Sequence, residues 1–355
     1  MNAKKWGLLT LALSLVLLAL LGGLTGLVDP LFHYHAPLEG LSYELLNTRQ
    51  RYLNDGISRH FDYNAIITGT SMQENSSTLL CDELFGVKSV KVPYEGASFK
   101  EVDENLRRVL EKREDVRLVF RTLDYFIAVN DKDDMLYDAA TFPYYLYDDS
   151  IFNDTKYLFN KAILFDDTIH TLRRTALGTA SDSIDEYSRM SPLLFGSALP
   201  EGIVRKASEN RVYASAELLD MVAGNVEQNI RRTVEENPDV EFYLFFPPYS
   251  VVHWDLQRLS GTVDEQIDVA QKTTELLVGL ENAHVFCFDH IPEIICDLDR
   301  YMPDGCHYDD HISDMLYEYM AAGEHELTEE NYVEYFDALR LFIRETDFAP
   351  WLDAK

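Results

Sequence analysis

The chain has 355 residues, with 31 Lys and Arg against 61 Asp and Glu, and a formal net charge of −30. A negative field of this size repels nucleic-acid phosphates and anionic lipid headgroups, so nucleic-acid binding is disfavoured. Because 46% of the residues are hydrophobic and 12% are aromatic, the chain can still bury a large core, which argues against global disorder. The composition therefore predicts a folded protein with an acidic surface.

The N-terminus carries an apolar segment long enough to cross a membrane. Residues 6–28 form a run of about 23 residues without a charge, and about 20 helical residues span a hydrocarbon core. A cleaved signal peptide is the alternative, but its apolar region is shorter and ends at a small-residue cleavage site. Lys4 and Lys5 precede the run, so the positive-inside rule places the N-terminus in the cytoplasm and the remainder outside. We predict a single-pass signal anchor over residues 1–28.

Residues 29–63 are interpreted as a membrane-proximal connector, after which an α/β pattern begins. Short apolar runs predict strands, and the longer amphipathic segments between them predict helices. Because strands alternate with helices, we expect a mostly parallel sheet that helices cover on both faces. The predicted strands cover residues 65–69, 89–93, 116–123, 240–246 and 284–288, and the predicted helices cover 73–85, 99–114, 216–236 and 263–280.

The alternation is interrupted at residues 127–215, where tyrosines and aspartates are mixed. We interpret this segment as an insertion into an α/β domain over residues 64–325, mainly helical or irregular in structure. Insertions of this size often form a lid or one wall of a cleft, and a peripheral structural subdomain is the alternative. Residues 326–355 are predicted to be a helical C-terminal extension.

Ser71 follows the first predicted strand, in the segment Gly69-Thr70-Ser71-Met72. Ligands of open α/β sheets bind at the carboxyl ends of the strands, so the serine hydroxyl is expected at that edge. Its backbone N–H can point into the same space and stabilise an oxyanion while the hydroxyl attacks. Since Ser and Thr also favour helix N-caps, capping by Thr70 or Ser71 is the alternative.

Asp304 and His307 lie three residues apart in a predicted loop that leads into a helix. A serine hydroxyl is a poor nucleophile, so it needs an imidazole within hydrogen-bond reach and a carboxylate that fixes the imidazole tautomer. We predict Ser71 as the nucleophile, His307 as the general base and Asp304 as the orienting acid. The alternatives are a polar surface loop and a metal site that also uses residues 309–311. No second ligand cluster completes such a site, so no metal is expected.

Four cysteines are too few and too scattered for a disulfide scaffold. An exported domain would permit a bridge such as Cys296 to Cys306, and burial as small apolar side chains is the alternative. Cys306 lies beside His307, but Ser71 has the better setting for a nucleophile, between a strand and a helix.

Three short blocks of the chain resemble the SGNH/GDSL hydrolase superfamily. They are the Gly69-Thr70-Ser71-Met72 segment in place of the usual Gly-Asp-Ser, Gly96 after the second strand, and the late Asp304-x-x-His307. With the N-terminal anchor, the chain is similar to membrane-anchored SGNH-like proteins of Gram-positive cell-envelope polymer pathways, including the D-alanyl-lipoteichoic acid protein group. The order of these blocks extends the resemblance over residues 65–320.

The resemblance implies a three-layer α/β/α sandwich with a mostly parallel sheet, which is the flavodoxin-like SGNH fold. It also implies a catalytic triad of Ser71, His307 and Asp304. In the oxyanion hole, the backbone N–H groups of Ser71 and Gly96 are the implied donors.

The third block departs from the family pattern. Relatives usually offer an asparagine there, whereas this chain has Arg121-Thr122-Leu123-Asp124. We expect either Arg121 or Asn75 to replace that donor, or the hole to have backbone donors alone. One lost oxyanion donor typically costs about 3 kcal/mol of transition-state stabilisation, so an inactive or specialised enzyme is an open alternative.

Further residues at this edge are predicted to bind substrate. Aromatic rings beside a cleft can stack on sugar faces, and burial as loop packing is the alternative. The predicted substrate-binding residues are Arg121 and Asp124 at the end of the third strand, and Tyr249, Ser250 and Trp254 after the fourth.

We therefore expect a serine-dependent esterase or O-acyltransferase that acts through an acyl-serine intermediate. Its substrates would be acyl esters of an extracellular cell-envelope glycan or a teichoic-acid-like polymer, and no cofactor is expected. The N-terminal helix would hold it in the cell membrane with the catalytic domain extracytoplasmic, and a membrane-bound O-acyltransferase is a candidate partner. The alternative, which the missing asparagine favours, is a non-catalytic envelope assembly factor that binds a polymer or a membrane acyltransferase.

Overall fold

The structure is a computed structural model of the chain and describes residues 2–138, 140–196 and 211–352. The chain divides into two compact units, which we term the helical unit and the sheet unit. The helical unit comprises Met1–Asp62 and Tyr137–Tyr187, and the sheet unit comprises Tyr63–Leu136 and Ser188–Lys355. Within the predicted insertion 127–215, residues 139 and 197–210 lie outside the described residues.

The α-helices are numbered in chain order through both units. They are α1 Ala3–Val28, α2 Gln50–His60, α3 Thr78–Phe85, α4 Phe99–Lys112, α5 Tyr125–Ala128, α6 Thr155–Leu158, α7 Ile169–Ala176, α8 Ala216–Val226, α9 Arg232–Glu236, α10 Val251–Ser260, α11 Val263–Glu275, α12 Pro292–Ile295, α13 Asp310–Ala322, α14 Tyr332–Glu345 and α15 Ala349–Leu352. Two π-helical turns, Ile163–Thr168 and Glu227–Arg231, precede α7 and α9. A turn of 3-10 helix at Ser71–Gln73 follows the first strand.

A six-stranded sheet organises the sheet unit. Its strands are β1 Ala65–Gly69, β2 Ser89–Pro93, β3 Leu118–Thr122, β4 Glu241–Phe246, β5 Ala283–Cys287 and β6 Glu326–Leu327. They are arranged in the order β2-β1-β3-β4-β5-β6, and all pairs are parallel except β5 with β6. The α/β class and the mostly parallel sheet expected from the sequence are therefore confirmed.

The first three strands are buried along their length, which explains why they are apolar runs in the sequence. Every residue of β1, β2 and β3 is buried, as expected for parallel strands covered on both faces. Lys91 in β2 is a charged residue, yet it is buried like the apolar residues of these strands. Its ammonium donates hydrogen bonds to the backbone carbonyls of Glu74 at 2.7 Å and Ser76 at 3.0 Å, which fixes the chain just after the 3-10 turn.

The C-terminal segment belongs to the sheet unit instead of forming a separate extension. Residues Glu326–Leu327 add the antiparallel strand β6 to the sheet. Helix α14 then packs on α10 and α11, and its Arg340 and Arg344 both pair with the buried Asp264 of α11. The predicted boundary at residue 326 is therefore not a boundary in the structure.

Helix α1 has the length and composition of a membrane-spanning helix. Its 26 residues have a mean hydropathy of 2.4 in their most apolar stretch, of which 17% is buried inside the protein. The buried residues Gly22, Thr25 and Val28 recur at helical spacing near its C-terminal end, where the helix contacts α6 and the π-turn Ile163–Thr168. The apolar N-terminal helix expected from the sequence is confirmed, while its insertion in a membrane and its orientation stay predictions.

Asp29 connects the end of α1 to the second segment of the helical unit, Tyr137–Tyr187. Its carboxylate accepts hydrogen bonds from the backbone N–H groups of His33, Tyr34 and His35 at 2.8–3.0 Å. It also accepts one from the Tyr157 hydroxyl at 2.6 Å, from a residue 128 positions away along the chain. Residues 137–187 thus pack with the N-terminal segment in one unit, an association that the sequence did not predict.

Candidate active site

Ser71 stands at the carboxyl end of β1, where the chain turns sharply. Gly69 has a φ of +142°, and a Cβ added there would collide with the Thr122 hydroxyl. Thr70 is the N-cap of the 3-10 turn, since its hydroxyl accepts from the backbone N–H of Met72 at 3.3 Å. Because Thr70 does the capping, the Ser71 hydroxyl is left for another partner.

The loop that carries Asp304 and His307 is held in place by Ser250, the N-cap of α10. Gly305 has a φ of +73°, and its carbonyl accepts hydrogen bonds from both the hydroxyl and the backbone N–H of Ser250, at 2.8 and 2.9 Å. Two residues beyond His307, Asp309 caps α13 by accepting from the Ile312 backbone N–H at 3.2 Å. The loop is therefore fixed at its centre and at its exit.

The structure brings Ser71, His307 and Asp304 together in the arrangement expected for a triad. Ser71 Oγ lies 2.8 Å from His307 Nε2, and His307 Nδ1 lies 2.5 Å from Asp304 Oδ2. The other oxygen of Asp304 accepts from the backbone N–H groups of Cys306 and His307 at 2.9 and 3.1 Å. When Nδ1 carries the proton and donates to Asp304, Nε2 can accept the serine proton.

Charges around His307 favour its role as a base. Burial lowers the pKa of His307, but the hydrogen bond to Asp304 and the negative charges of Asp304, Asp124 and Glu74 outweigh burial, so the pKa lies above its ordinary value. Burial raises the pKa of Asp304, but its hydrogen bonds with His307 and Cys306 leave it below the ordinary value. Asp304 is therefore ionised near neutral pH and can stabilise the imidazolium that forms.

Asp124, predicted to bind substrate, is instead a buried partner of the turn that carries Ser71. It is buried, and it accepts hydrogen bonds from the Thr70 hydroxyl at 2.6 Å and from the Tyr249 hydroxyl at 3.0 Å. Burial raises the pKa of the Asp124 carboxyl, which these two hydrogen bonds partly offset. Since Thr70 caps the turn that carries Ser71, the buried Asp124 helps to hold that turn through the Thr70 hydroxyl.

The predicted oxyanion residues lie in different structural settings. The backbone N–H of Ser71 opens a helical turn, and such N–H groups lack an intrahelical acceptor. Gly96 lies in an exposed turn with a φ of +66°, three residues beyond Pro93, which pairs in register with Gly69. Its loop thus leaves the sheet at the same edge as Ser71, and its role as a donor stays a prediction.

Asn75 is a scaffold residue, so the expectation that it supplies an oxyanion donor finds no support. Its side chain is buried and donates to the Tyr308 backbone carbonyl at 2.7 Å, while its oxygen accepts from the Met190 backbone N–H at 3.0 Å. The amide thereby ties the serine segment to the residue that follows His307.

Arg121 is not available to a substrate or an oxyanion, which contradicts its predicted roles. The side chain is 1% exposed. Its guanidinium lies 3.3 Å from Asp103 of α4 and donates to the Phe99 carbonyl at 3.0 Å. Alternate residues of a strand point to opposite faces of the sheet, and position 121 points into the helix layer, where Asp103 balances its charge.

The three predicted wall residues after β4 are also buried, so the loop-packing alternative holds for them. Tyr249 and Trp254 share one acceptor, Asp289, through the Tyr249 backbone N–H and the Trp254 indole N–H, both at 3.0 Å. Ser250 is buried against the carbonyl of Gly305. These buried residues support the loop that carries Asp304 and His307, and they present no surface to a substrate.

Two features at this edge were not predicted from the sequence. Asp289, just beyond β5, is fully buried, and burial raises its pKa to about 6; a carboxylate at a strand end was the available signal. Phe126 is half exposed and stacks on Tyr249 with ring centroids 5.5 Å apart. It lines a cavity of about 130 Å³ together with Val129 and Gln266, and it is a better candidate for a substrate wall than the buried Tyr249.

The metal and disulfide alternatives find no support in the described part of the chain. No group of three or more His, Cys, Asp or Glu there is placed to hold a metal ion, and Asp309 pairs with Arg300 at 3.1 Å. All four cysteines are free thiols, so Cys296 and Cys306 are not bridged. Burial raises the pKa of the Cys306 thiol far above its ordinary value, which disfavours the thiolate that a nucleophile requires.

Comparisons with known proteins add no relative, since no family profile, curated protein or solved structure matches the chain.

Proposed function

We propose that the protein is a membrane-anchored, SGNH-like serine esterase or O-acyltransferase that works through an acyl-serine intermediate. The observation that carries the proposal is the continuous hydrogen-bond series from Ser71 through His307 to Asp304, at 2.8 and 2.5 Å. A capped serine turn does not need this series. Nucleophilic catalysis does, because the imidazole must remove the serine proton and a carboxylate must fix the imidazole.

The reaction begins when Ser71 Oγ attacks the ester carbonyl carbon and His307 Nε2 takes the hydroxyl proton. The oxyanion forms near the backbone N–H of Ser71, with Gly96 as the second proposed donor. The carbon–oxygen bond to the alcohol then breaks, and His307 returns its proton to the departing oxygen. Water or a second hydroxyl attacks the acyl-serine with His307 again as base, which releases the acid or forms a new ester and restores the serine.

The fold and the N-terminus support the SGNH-like assignment and the membrane location. The parallel strands follow the order 2-1-3-4-5, which is that of flavodoxin-like sheets. The proposed location is the cell membrane, with the sheet unit extracytoplasmic, because Lys4 and Lys5 precede the apolar helix.

The proposed substrate is an acyl ester on a cell-envelope glycan or a teichoic-acid-like polymer. The net charge of −30 favours a neutral glycan over a bare polyphosphate chain, because like charges repel at long range. Phe126, which is 51% exposed, provides an aromatic side chain on which a sugar ring can stack. A membrane-bound O-acyltransferase is the proposed source of acyl groups if the enzyme transfers them.

Replacing Ser71 with alanine tests the proposal. The full-length protein in detergent is treated with a fluorophosphonate probe and with a chromogenic acyl ester, and its thermal unfolding is recorded. We expect Ser71→Ala to abolish both labelling and turnover while the melting temperature stays close to that of the parent. Ser260→Ala, which removes an exposed hydroxyl at the end of α10, is the matched control and should retain both. Labelling or turnover that survives in a folded Ser71→Ala protein would exclude the proposed nucleophile.

A non-catalytic assembly factor is the second candidate. It is favoured by Asp124, a buried carboxylate at the place where the family offers an asparagine donor. In that case His307→Ala would leave polymer modification in cells intact, whereas the enzyme proposal expects His307→Ala to abolish it.

A further inference from the structure

A group of large apolar side chains is exposed in one short segment of the helical unit. Phe152 is 89% exposed and Phe165 is 54% exposed. Exposed apolar residues scattered singly are normal on a protein surface, but a cluster marks an interaction site. The members are Ile151, Phe152, Phe159, Phe165 and Ile169, and we term them the aromatic segment, residues 151–169.

The aromatic segment packs against α1 inside its apolar run. A Cβ added to Gly22 would lie 2.9 Å from the Phe159 ring, and one added to Gly26 would lie 3.3 Å from Leu158. The contact therefore depends on residues that have no side chain, which let α6 approach the helix closely. Helix α6 and the π-turn Ile163–Thr168 both contact α1.

The position of Gly22 sets the depth of this contact in a membrane. A hydrocarbon core takes about 20 helical residues at about 1.5 Å each, while the uncharged run at 6–28 holds about 23. If the core begins at residue 6 it ends near residue 25, and if it ends at Val28 it begins near residue 9. Gly22 then lies about 5–9 Å inside the hydrocarbon in either register. The ring of Phe159, in contact with Gly22, has to lie at a similar depth.

We propose that the aromatic segment is a second membrane contact, which enters the lipid leaflet at the Val28 end of α1 beside the anchor. The proposal is independent of the chemistry at Ser71 and rests on α1 spanning the membrane. Its partner is the acyl-chain and glycerol region of a bilayer, because aromatic and branched apolar side chains prefer that boundary.

The exposed carboxylate of Asp166, next to Phe165, has to lie at the headgroup level, and the other charged groups near the aromatic segment are compatible with this location. The Asp29 carboxylate at the end of α1 is buried and accepts four hydrogen bonds, so it does not need water. Lys156 and Lys161 are exposed, and their long stems can carry the ammonium groups to the headgroups. Because the chain is strongly acidic, immersion is driven by apolar contact, and anionic lipid is not required.

Tryptophan substitution with lipid-borne quenchers tests the contact. Full-length Phe152→Trp and Phe165→Trp are reconstituted in phosphatidylcholine vesicles, with and without bromine on the acyl chains, and the parent emission is subtracted. Leu193→Trp is the matched control, because Leu193 is 92% exposed and lies outside the helical unit. We expect brominated lipid to remove most of the new emission at positions 152 and 165, a blue shift of that emission, and weak quenching by acrylamide.

Two results would overturn the proposal. The first is that positions 152 and 165 are quenched by brominated lipid no more than position 193 and stay open to acrylamide, which would place the segment in water. The second is that photo-crosslinkers at 152 and 165 capture a second copy of the chain in these vesicles instead of lipid, which would make the segment a protein interface. Quenching that persists at high salt in purely zwitterionic vesicles would support apolar immersion over charge attraction.

Discussion

Replacing Asp304 with asparagine would change which nitrogen of His307 carries the proton. In the parent protein, Asp304 Oδ2 accepts from His307 Nδ1 at 2.5 Å, and Oδ1 accepts from two backbone N–H groups. The asparagine oxygen can keep the two backbone bonds, which turns its NH₂ group towards Nδ1. An NH₂ donor stabilises the tautomer with the proton on Nε2, and that nitrogen can no longer accept the proton of Ser71.

The expected loss of kcat is large because the wrong tautomer prevents His307 from accepting the Ser71 proton in every turnover. Equivalent substitutions in serine hydrolases reduce kcat by about 10⁴-fold, which corresponds to about 5.4 kcal/mol of transition-state stabilisation. The pH profile should also move. His307 must be neutral to act as a base, and its pKa is raised chiefly by Asp304 once burial is overcome. Activity of the parent therefore increases with pH through this raised pKa, and Asp304→Asn should shift the remaining activity towards lower pH.

The loss of stability in Asp304→Asn should depend on pH in a definite direction. The folded pKa of His307 is raised and that of Asp304 is lowered. The pair therefore stabilises the fold from the ordinary pKa of an aspartate upwards, and the histidine contribution is lost as the pH rises through the folded pKa of His307. Asp304→Asn should lower the melting temperature more at about pH 5 than at about pH 9.

The assay is the second-order rate of fluorophosphonate labelling of full-length protein, measured across pH beside a thermal melt. Asp310→Asn is the matched control, because the Asp310 side chain is half exposed and pairs with Arg189 at 3.4 Å; it should leave the rate within about twofold. If Asp304→Asn labels as fast as the parent, with an unchanged pH profile, then Asp304 does not orient the base and the proposed triad is wrong.

Two further predictions concern the core and the thiol. Arg121→Ala leaves the Asp103 carboxylate buried without its opposite charge, so urea unfolding should show a loss of about 3–5 kcal/mol, whereas Arg121→Met with Asp103→Leu should lose much less. Equal losses would mean that the ion pair is not the source of the effect. Cys306→Ser should retain turnover, and Cys306 in the parent should react slowly with iodoacetamide until the protein unfolds, since burial raises its pKa. Rapid alkylation of Cys306 in the folded protein, or loss of turnover in Cys306→Ser, would make Cys306 a candidate nucleophile again.

The sheet and the three central residues of the site could be predicted because their signals are local. A strand followed by glycine and serine, and an Asp-x-x-His before a helix, each define their backbone geometry within a few residues. The parallel order of β1 to β5 then brings the segments to one edge. Local pattern and fold-level rule agree here, and the predicted neighbours Ser71 and His307 lie within hydrogen-bond distance.

Side-chain direction was not predictable in the same way. Arg121, Tyr249 and Trp254 all lie at or near the correct edge of the sheet, yet each side chain points into the core and pairs with a buried carboxylate from another part of the fold. Asp103 pairs with Arg121, Asp124 accepts from the Tyr249 hydroxyl, and Asp289 accepts from the Trp254 indole. A polar residue near a strand end reads the same in sequence whether it faces a cleft or a buried carboxylate, so only the packing distinguishes the two.

The sequence pattern contains even less indication that residues 137–187 pack with the N-terminal segment. This packing depends on the Tyr157 hydroxyl reaching Asp29, 128 residues earlier, and on two glycines that resemble ordinary helix residues in an apolar run. Neither is visible to an argument from periodicity.

Gly22 and Gly26 also mean that helix α1 cannot be exchanged freely for another apolar helix. A foreign helix of equal hydropathy with leucine at position 22 would still be long and apolar enough to cross a bilayer, but its side chain would occupy the space of the Phe159 ring. The surface of α1 that carries these glycines is therefore under the constraint of a protein core, while the opposite surface needs only to be apolar. Sequence drift in this helix should be uneven around its circumference, with small residues retained on one side and free exchange among Leu, Val and Ile on the other.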